Sequence, residues 1–113
     1  MWKLSAVLVA ALAAACGGSS EPDNVSMVRS LESLQCTGGG TTPAALQAQL
    51  VAAGIQVIAA SCGFDGLPHP AVCGAPDGAL AIFDLPAAQQ VVAQTLGFIL
   101  LSSMPSAVRA TCS

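Results

Sequence analysis

Aromatic and basic residues are what this sequence has least of. It contains no tyrosine, three phenylalanines and one tryptophan, Trp2, and its lysines and arginines together number three against six acids. The shortage of aromatics removes the stacking surfaces on which carbohydrate and nucleic-acid platforms are built. The shortage of cations leaves no basic patch to meet phosphates, so nucleic acid is not an expected partner. The glycine-rich run Cys36 to Thr42 has neither the G-x-G-x-x-G spacing nor the lysine of a phosphate-binding loop, so it reads as a flexible connection. No Cys-x-x-Cys occurs, which argues against a thioredoxin-like redox motif, and the acids stand singly, so no catalytic carboxylate pair can be named. No apolar run reaches the roughly 18 residues that a membrane-spanning helix requires.

What is present begins at the N-terminus. Met1-Trp2-Lys3 is followed by Leu4 to Ala15, in which only Ser5 is polar. A short basic head, an apolar stretch and small residues before a break have the layout of a secretory signal. Its end, Ala13-Ala14-Ala15-Cys16, resembles the lipobox of bacterial lipoproteins, with Ala13 at a position that usually holds leucine. The resemblance is confined to residues 1–16 and implies cleavage before Cys16, which would be diacylated and become the new N-terminus. In that family an aspartate after the cysteine marks inner-membrane retention. Gly17 stands there instead, so the resemblance implies a lipid anchor in the outer membrane with the protein facing the periplasm. Two or more acyl chains would hold it stably. The plain alternative is an ordinary signal cut nearby, with Cys16 left as a stray thiol.

Cleavage there leaves 98 of the 113 residues, one domain's worth. Two arginines, Arg29 and Arg109, then face six acids, for a net charge of −4. Residues 17–24, Gly-Gly-Ser-Ser-Glu-Pro-Asp-Asn, read as a flexible tether, and residues 25–113 as a single domain.

That domain contains an internal repeat. A gapless shift of 43 residues sets Pro43 on Pro86, Ala44 and Ala45 on Ala87 and Ala88, Gln47 on Gln90 and Gly54 on Gly97. Each copy places proline near a helix start and glycine just past the end, followed by an apolar run. In the second copy Asp84 is placed to cap the helix, and Ala88, Val91, Val92, Thr95 and Leu96 have the spacing of one buried face. Leu46, Leu50 and Ala53 form the weaker face of the first. Strands are expected from Ile55, from Phe98, and over Ala79 to Leu85. Residues 25–36 are ambiguous, because Val25, Val28, Leu31 and Leu34 recur every three residues and suit a helix as well as a strand.

With a strand there, the order β-α-β-β-α-β resembles the ferredoxin-like fold, which implies a four-stranded antiparallel sheet with both helices on one face. The alternative is another α+β sandwich with an N-terminal helix. The bare sheet face would be covered by the C-terminal tail, by a second copy in a homodimer, or by an envelope partner.

Setting Cys16 aside leaves Cys36, Cys62, Cys73 and Cys112, as candidates for two disulfides in an oxidising compartment. Closing the loop between Cys62 and Cys73 would leave Cys36 to pair with Cys112. The ferredoxin-like layout brings Cys36, Cys62 and Cys73 to one end of the sheet, so Cys36 with Cys62 or Cys73 stays open. Ferredoxin-like heavy-metal domains carry Cys-x-x-Cys after the first strand. Here Cys36-Thr37-Gly38-Gly39 has glycine in the second position, which removes the chelate.

The lone histidine, His69, is displayed between Pro68 and Pro70 with Asp65 four residues before it, and no nucleophile or second ligand can be named beside it. No catalytic residue, metal or cofactor is therefore expected. The leading reading is a membrane-anchored periplasmic lipoprotein with a non-catalytic binding or envelope-structural role. The alternative is a soft-metal or small-ligand carrier built from the Cys36 loop, the 62–73 loop and His69, which requires free thiols. An enzyme would need a low-pKa thiol and a pocket that the sequence does not display.

Overall fold

The computed structural model describes residues 23–112, so Cys16 and most of the tether lie outside the described residues. The chain runs β1 (Asn24–Ser30), α1 (Pro43–Ala52), β2 (Ala59–Phe64), β3 (Ala79–Pro86), a 3-10 turn at Ala87–Gln89 leading into α2 (Gln90–Thr95), β4 (Ile99–Leu100), a second 3-10 turn at Leu101–Ser103, and β5 (Val108–Ala110). The fold is α+β, with the strands in one antiparallel sheet of spatial order β4-β1-β3-β2-β5. The expectation of four strands is corrected to five, because the C-terminal tail adds β5 beside β2.

Residues 24–30 are strand, and the three-residue spacing of Val25, Val28, Leu31 and Leu34 does not form a helix. A period of two prevails because β1 is buried on both faces: Met27 points to the helices and Val28 away from them, and both are buried. The strand expected over Ala79 to Leu85 is β3, whereas those expected from Ile55 and Phe98 are later or shorter. Ile55 is already buried, yet pairing begins only at Ala59, and the run from Phe98 keeps only two strand residues.

The two halves stop their helices in the same way. After α1, the N–H of Gly54 donates to Val51 O and that of Ile55 to Leu50 O. After α2, Gly97 donates to Gln94 O and Phe98 to Ala93 O. This is the Schellman arrangement, with the glycine left-handed at φ +81° and +95° and the next residue driven into the core. The repeat legible in the sequence is therefore a repeat of helix stops. Gln89 links the copies, accepting from the N–H of Gln56 and donating to Gly54 O.

The helix starts differ. Thr42 caps α1, accepting from the N–H of Ala45. Asp84 does not cap α2; it sits within β3 and accepts from Ser26 Oγ at 2.6 Å. The expected apolar face of α2 is also overturned: Val91 and Val92 are 68% and 42% exposed, while Ala93 is buried. The opening 3-10 turn advances about 120° per residue instead of about 100°, which rotates the stripe away from the phase of a continuous α-helix.

One core lies between the helices and the sheet. Leu46 and Leu50 of α1 and Ala93 of α2 pack with Met27, Ala81, Phe83 and Leu85 of the sheet and with Phe98. The rings of Phe83 and Phe98 meet edge to face at 5.9 Å. Arg29 lies 5.7 Å over the Phe98 ring and donates to Leu96 O, placing a cation on the carbonyl end of α2.

Val28, Leu80 and Ile82 face away from the helices and are nevertheless buried. Their cover follows from the topology. β4 ends at Leu100 on one outer edge of the sheet and β5 begins at Val108 on the other, so residues 101–107 cross the whole sheet, about 19 Å at about 4.8 Å per strand. The helices occupy the first face, which leaves this strap the second. The C-terminal tail, one of the three covers expected for that face, is thus placed to lie across it.

The cysteines form two disulfides, Cys36–Cys73 and Cys62–Cys112. The pairing of Cys62 with Cys73 and of Cys36 with Cys112 is corrected, and of the alternatives left open the Cys36–Cys73 bridge is the one formed. The reason is β5: it sets Ala110 opposite Cys62, which brings Cys112 to the edge of β2. Cys73 is thereby free for Cys36, across the bridge between Leu34 and Pro76. The bridges close 37 and 50 residues and are each worth about 4 kcal/mol by chain entropy.

Candidate binding surface

β1 runs from Asn24, where the tether enters, to Ser30, and six strand steps carry it about 20 Å. At its far end two loops meet, residues 31–41 after β1 and residues 65–78 between β2 and β3. Leu31 donates to Ala79 O, Gln35 to Ala75 O, Gly74 to Gln35 O and Asp77 to Ser33 O, so the loops form a short irregular ladder. Ser33 Oγ donates to Asp77 at 2.8 Å, and Cys36–Cys73 locks the pair covalently. Two non-glycine residues with positive φ, Glu32 at +56° and Cys36 at +71°, both lie here. Such conformations persist only where the surroundings enforce them.

The Cys36-Thr37-Gly38-Gly39-Gly40 run forms the tip of the first loop, with all three glycines left-handed. A Cβ at Gly40 would collide with the carbonyl oxygen of Leu31, so glycine there permits close backbone approach. Thr41 donates to Leu31 O and Thr42 caps α1, which makes the run a structural return to the helix.

His69 is half-buried and not freely displayed, as its place between two prolines suggested. Its Nε2 lies 2.8 and 2.9 Å from the two oxygens of Asp65. Asp65 also accepts from the N–H of Leu67 at 3.0 Å, and its own N–H donates to Gly78 O. The Leu67 amide, then the His69 partner, hold its carboxyl below the ordinary carboxylate range, against an opposing push from burial. The pair lies against Gly78, where an added Cβ would come within 2.7 Å of His69 Nε2 and 2.8 Å of Asp65 Oδ1.

A cavity of about 310 Å³ opens beside this pair, lined by Glu32, Leu34, Asp65, His69 and Pro76 among others. A second depression of about 260 Å³ lies on the other side of Asp65, between Leu67 and the strap at Met104. Apolar side chains stand out of both loops: Leu34, Leu67 and Val72 are 38%, 55% and 58% exposed. Among the described residues no hydroxyl or thiol is hydrogen-bonded to the His69 ring, and no three metal-ligating side chains come together. All four described cysteines are in disulfides, so none offers a thiolate to a soft metal.

The sequence placed Cys36, Cys73, Asp65 and His69 at this end. It did not single out Glu32 or Leu34, whose role depends on the loop ladder, or the strap residues, whose place follows from β5. A second polar cluster, Arg109 with Ser26, Ser61 and Asp84, sits on the strap side of the sheet. There Arg109 donates to Ser61 Oγ at 2.8 Å and to Ser26 Oγ at 3.0 Å, with Asp84 at 3.4 Å. These bonds fasten β5 across the sheet and leave the arginine occupied. Compared with known protein families, with characterised proteins and with solved structures, the chain finds no match.

Proposed function

We propose that the protein is a lipoprotein held in the outer membrane through Cys16, with its domain in the periplasm and a non-catalytic role in binding or envelope structure. In this reading residues 1–15 are a cleaved signal and the domain is a ferredoxin-like sandwich whose sheet is extended by β5. The strand order β4-β1-β3-β2 with helices on one face supports the fold assignment. Two disulfides agree with an oxidising compartment.

The observation that carries the functional reading is the opposition of the two ends. The chain enters at Asn24, and the loops pinned by Cys36–Cys73 lie at the far end of β1. From Cys16 the tether can reach at most about 29 Å, so the tethered end of an anchored domain would stay within that distance of the bilayer, with the loops at the opposite end of β1. Rigid loops carrying exposed apolar and acidic groups suit recognition, and among the described residues the His69 ring is bonded to Asp65 and to no hydroxyl or thiol.

Intact mass spectrometry of the protein from a bacterial membrane fraction tests the anchor. The expected mass begins at Cys16 and carries diacylglycerol and a further acyl group, with four alkylatable thiols appearing only after reduction. A lipid-free soluble protein, or free thiols among positions 36, 62, 73 and 112, would overturn the reading.

A further inference from the structure

We infer that the uncharged end of the helical layer, around Val51, Ile58, Val91 and Val92, rests on the lipid surface to which the tether holds the domain. This deepens the anchored-lipoprotein reading and rests on it. Three observations carry it.

The first is missing charge. No Asp, Glu, Lys, Arg or His lies between Glu32 and Asp65, or between Asp84 and Arg109. Both helices and the turns beside them fall within these two stretches. The only polar side chains of α1 are two glutamines, and the exposed residues of α2 are Val91, Val92, Gln94 and Thr95. A helix facing water carries charged residues on its outer side, whereas one without them all round is covered there. Nothing ionised would have to be stripped of water for this layer to meet an apolar surface.

The second is where the exposed aliphatic residues stand. Val51, Ile58, Val91 and Val92 are 42% to 68% exposed, and the bonds around them place all four at the end where the chain enters. Asn24 pairs with Pro86, and the N–H of Ala87 donates to Asp23 O, so the turn leading into α2 is bonded to the entering chain. Gln89 in that turn donates to Gly54 O, just past Val51 at the end of α1, and Val91 and Val92 follow it directly. Ile58 donates to Asp84 O, two residues before Pro86.

The third is what lies at that end. The tether keeps lipid within about 29 Å of Asn24. Tethering makes the encounter intramolecular, so a patch too small to bind a free membrane settles on the one beside it. A stable dimer takes about 20 to 30 residues from each partner, against the four aliphatic side chains gathered here. The nearest described charges are Asp23, on the entering chain, and Asp84, which is paired with Arg109 on the other face of the sheet. With no free cation beside it, the patch suits neutral lipid and has no attraction for anionic headgroups.

The test uses the full mature protein, extracted in non-ionic detergent and reconstituted into phosphatidylcholine vesicles, with intact mass and vesicle flotation reporting the anchor separately. Trp2 leaves with the signal, so a tryptophan placed in the domain is the only one. Val51→Trp and Val91→Trp report on the patch, and Leu67→Trp and Val72→Trp, at similarly exposed positions, on the far-end loops. When the vesicles carry brominated acyl chains, the patch reporters are expected to lose at least about twofold in emission and the loop reporters to keep theirs. Adding Val92→Glu to Val91→Trp puts a charge into the patch and is expected to remove the quenching while the protein still floats. Equal quenching of patch and loop reporters, or quenching that survives Val92→Glu, would show tryptophan seeking lipid by itself and would overturn the contact. No quenching in a lipidated protein that floats removes the contact and leaves the anchor in place. An unquenched, blue-shifted Val91→Trp in a protein that cross-links as a dimer gives the patch to a second copy and removes the contact likewise. A lipid-free protein that does not float overturns the anchor and the contact together.

Discussion

Gly78 decides how closely the Asp65–His69 pair can lie against the chain. With φ at +78° and space for a Cβ closed by His69 Nε2 and Asp65 Oδ1, Gly78→Ala meets both a conformational and a steric penalty. It is expected to lower stability by about 2 to 3 kcal/mol in urea unfolding, whereas Gly74→Ala, left-handed but with open space around it, should cost only about 1 kcal/mol. The pair itself has a pH signature. The folded state holds the Asp65 carboxyl below its unfolded value, so its stabilisation is complete above the unfolded pKa, near about 4, and is lost as pH falls through the folded value. Urea midpoints followed from pH 6 to pH 2 should fall on the acid side, and Asp65→Asn should be less stable at pH 6 with a flatter acid limb. An unchanged limb in that variant would place the acid sensitivity in other carboxylates.

At the scale of elements, the helix stops are the features that sequence and structure share most closely. Gly54 and Gly97 each end a helix in the left-handed conformation and deliver an apolar residue to the core. Gly54→Ala and Gly97→Ala should therefore each cost about 1 kcal/mol, measured by thermal or urea unfolding, with Gly54→Ala the cleaner case because nothing crowds its Cβ. The stops were legible because only glycine serves there, so residue identity reports conformation directly. The start of α2 was not, because Asp84 is equally suited to capping a helix and to accepting bonds from Ser26 and Arg109 within the sheet, and only the register of β1 on β3 decides. Val91 and Val92 misled for a related reason: helical spacing fixes which residues share a face, but the 3-10 turn sets which face turns inward. At the candidate site, His69 and Asp65 were visible as neighbours four apart in a proline-stiffened loop. Glu32 and Leu34 acquire their place only through the cross-loop ladder, which no local pattern encodes.

At the scale of the whole molecule, the two disulfides do different things, and the difference depends on β5. Cys36–Cys73 joins loops that are already tied by backbone hydrogen bonds and by Ser33 to Asp77. Cys62–Cys112 instead fastens the end of a strap whose remaining hold on β2 is three strand residues and the bonds of Arg109. Val28, Leu80 and Ile82 are buried on the sheet face that this strap crosses. Chain entropy assigns the two bridges nearly the same worth, about 4 kcal/mol, so removing either pair should lower global stability by a similar amount. Their local consequences should diverge. The double variant Cys62→Ser with Cys112→Ser is expected to let the strap open below the global unfolding transition, giving fast amide exchange over residues 101–112 and increased binding of an apolar-surface dye under native conditions. The double variant Cys36→Ser with Cys73→Ser should keep residues 101–112 protected and the dye unbound, with faster exchange confined to residues 31–41 and 65–78. The two exchange patterns separate a clamp on the loops from a latch on the sheet. If both variants exposed the sheet face equally, the strap would be held by the stability of the whole domain and not by its own bridge.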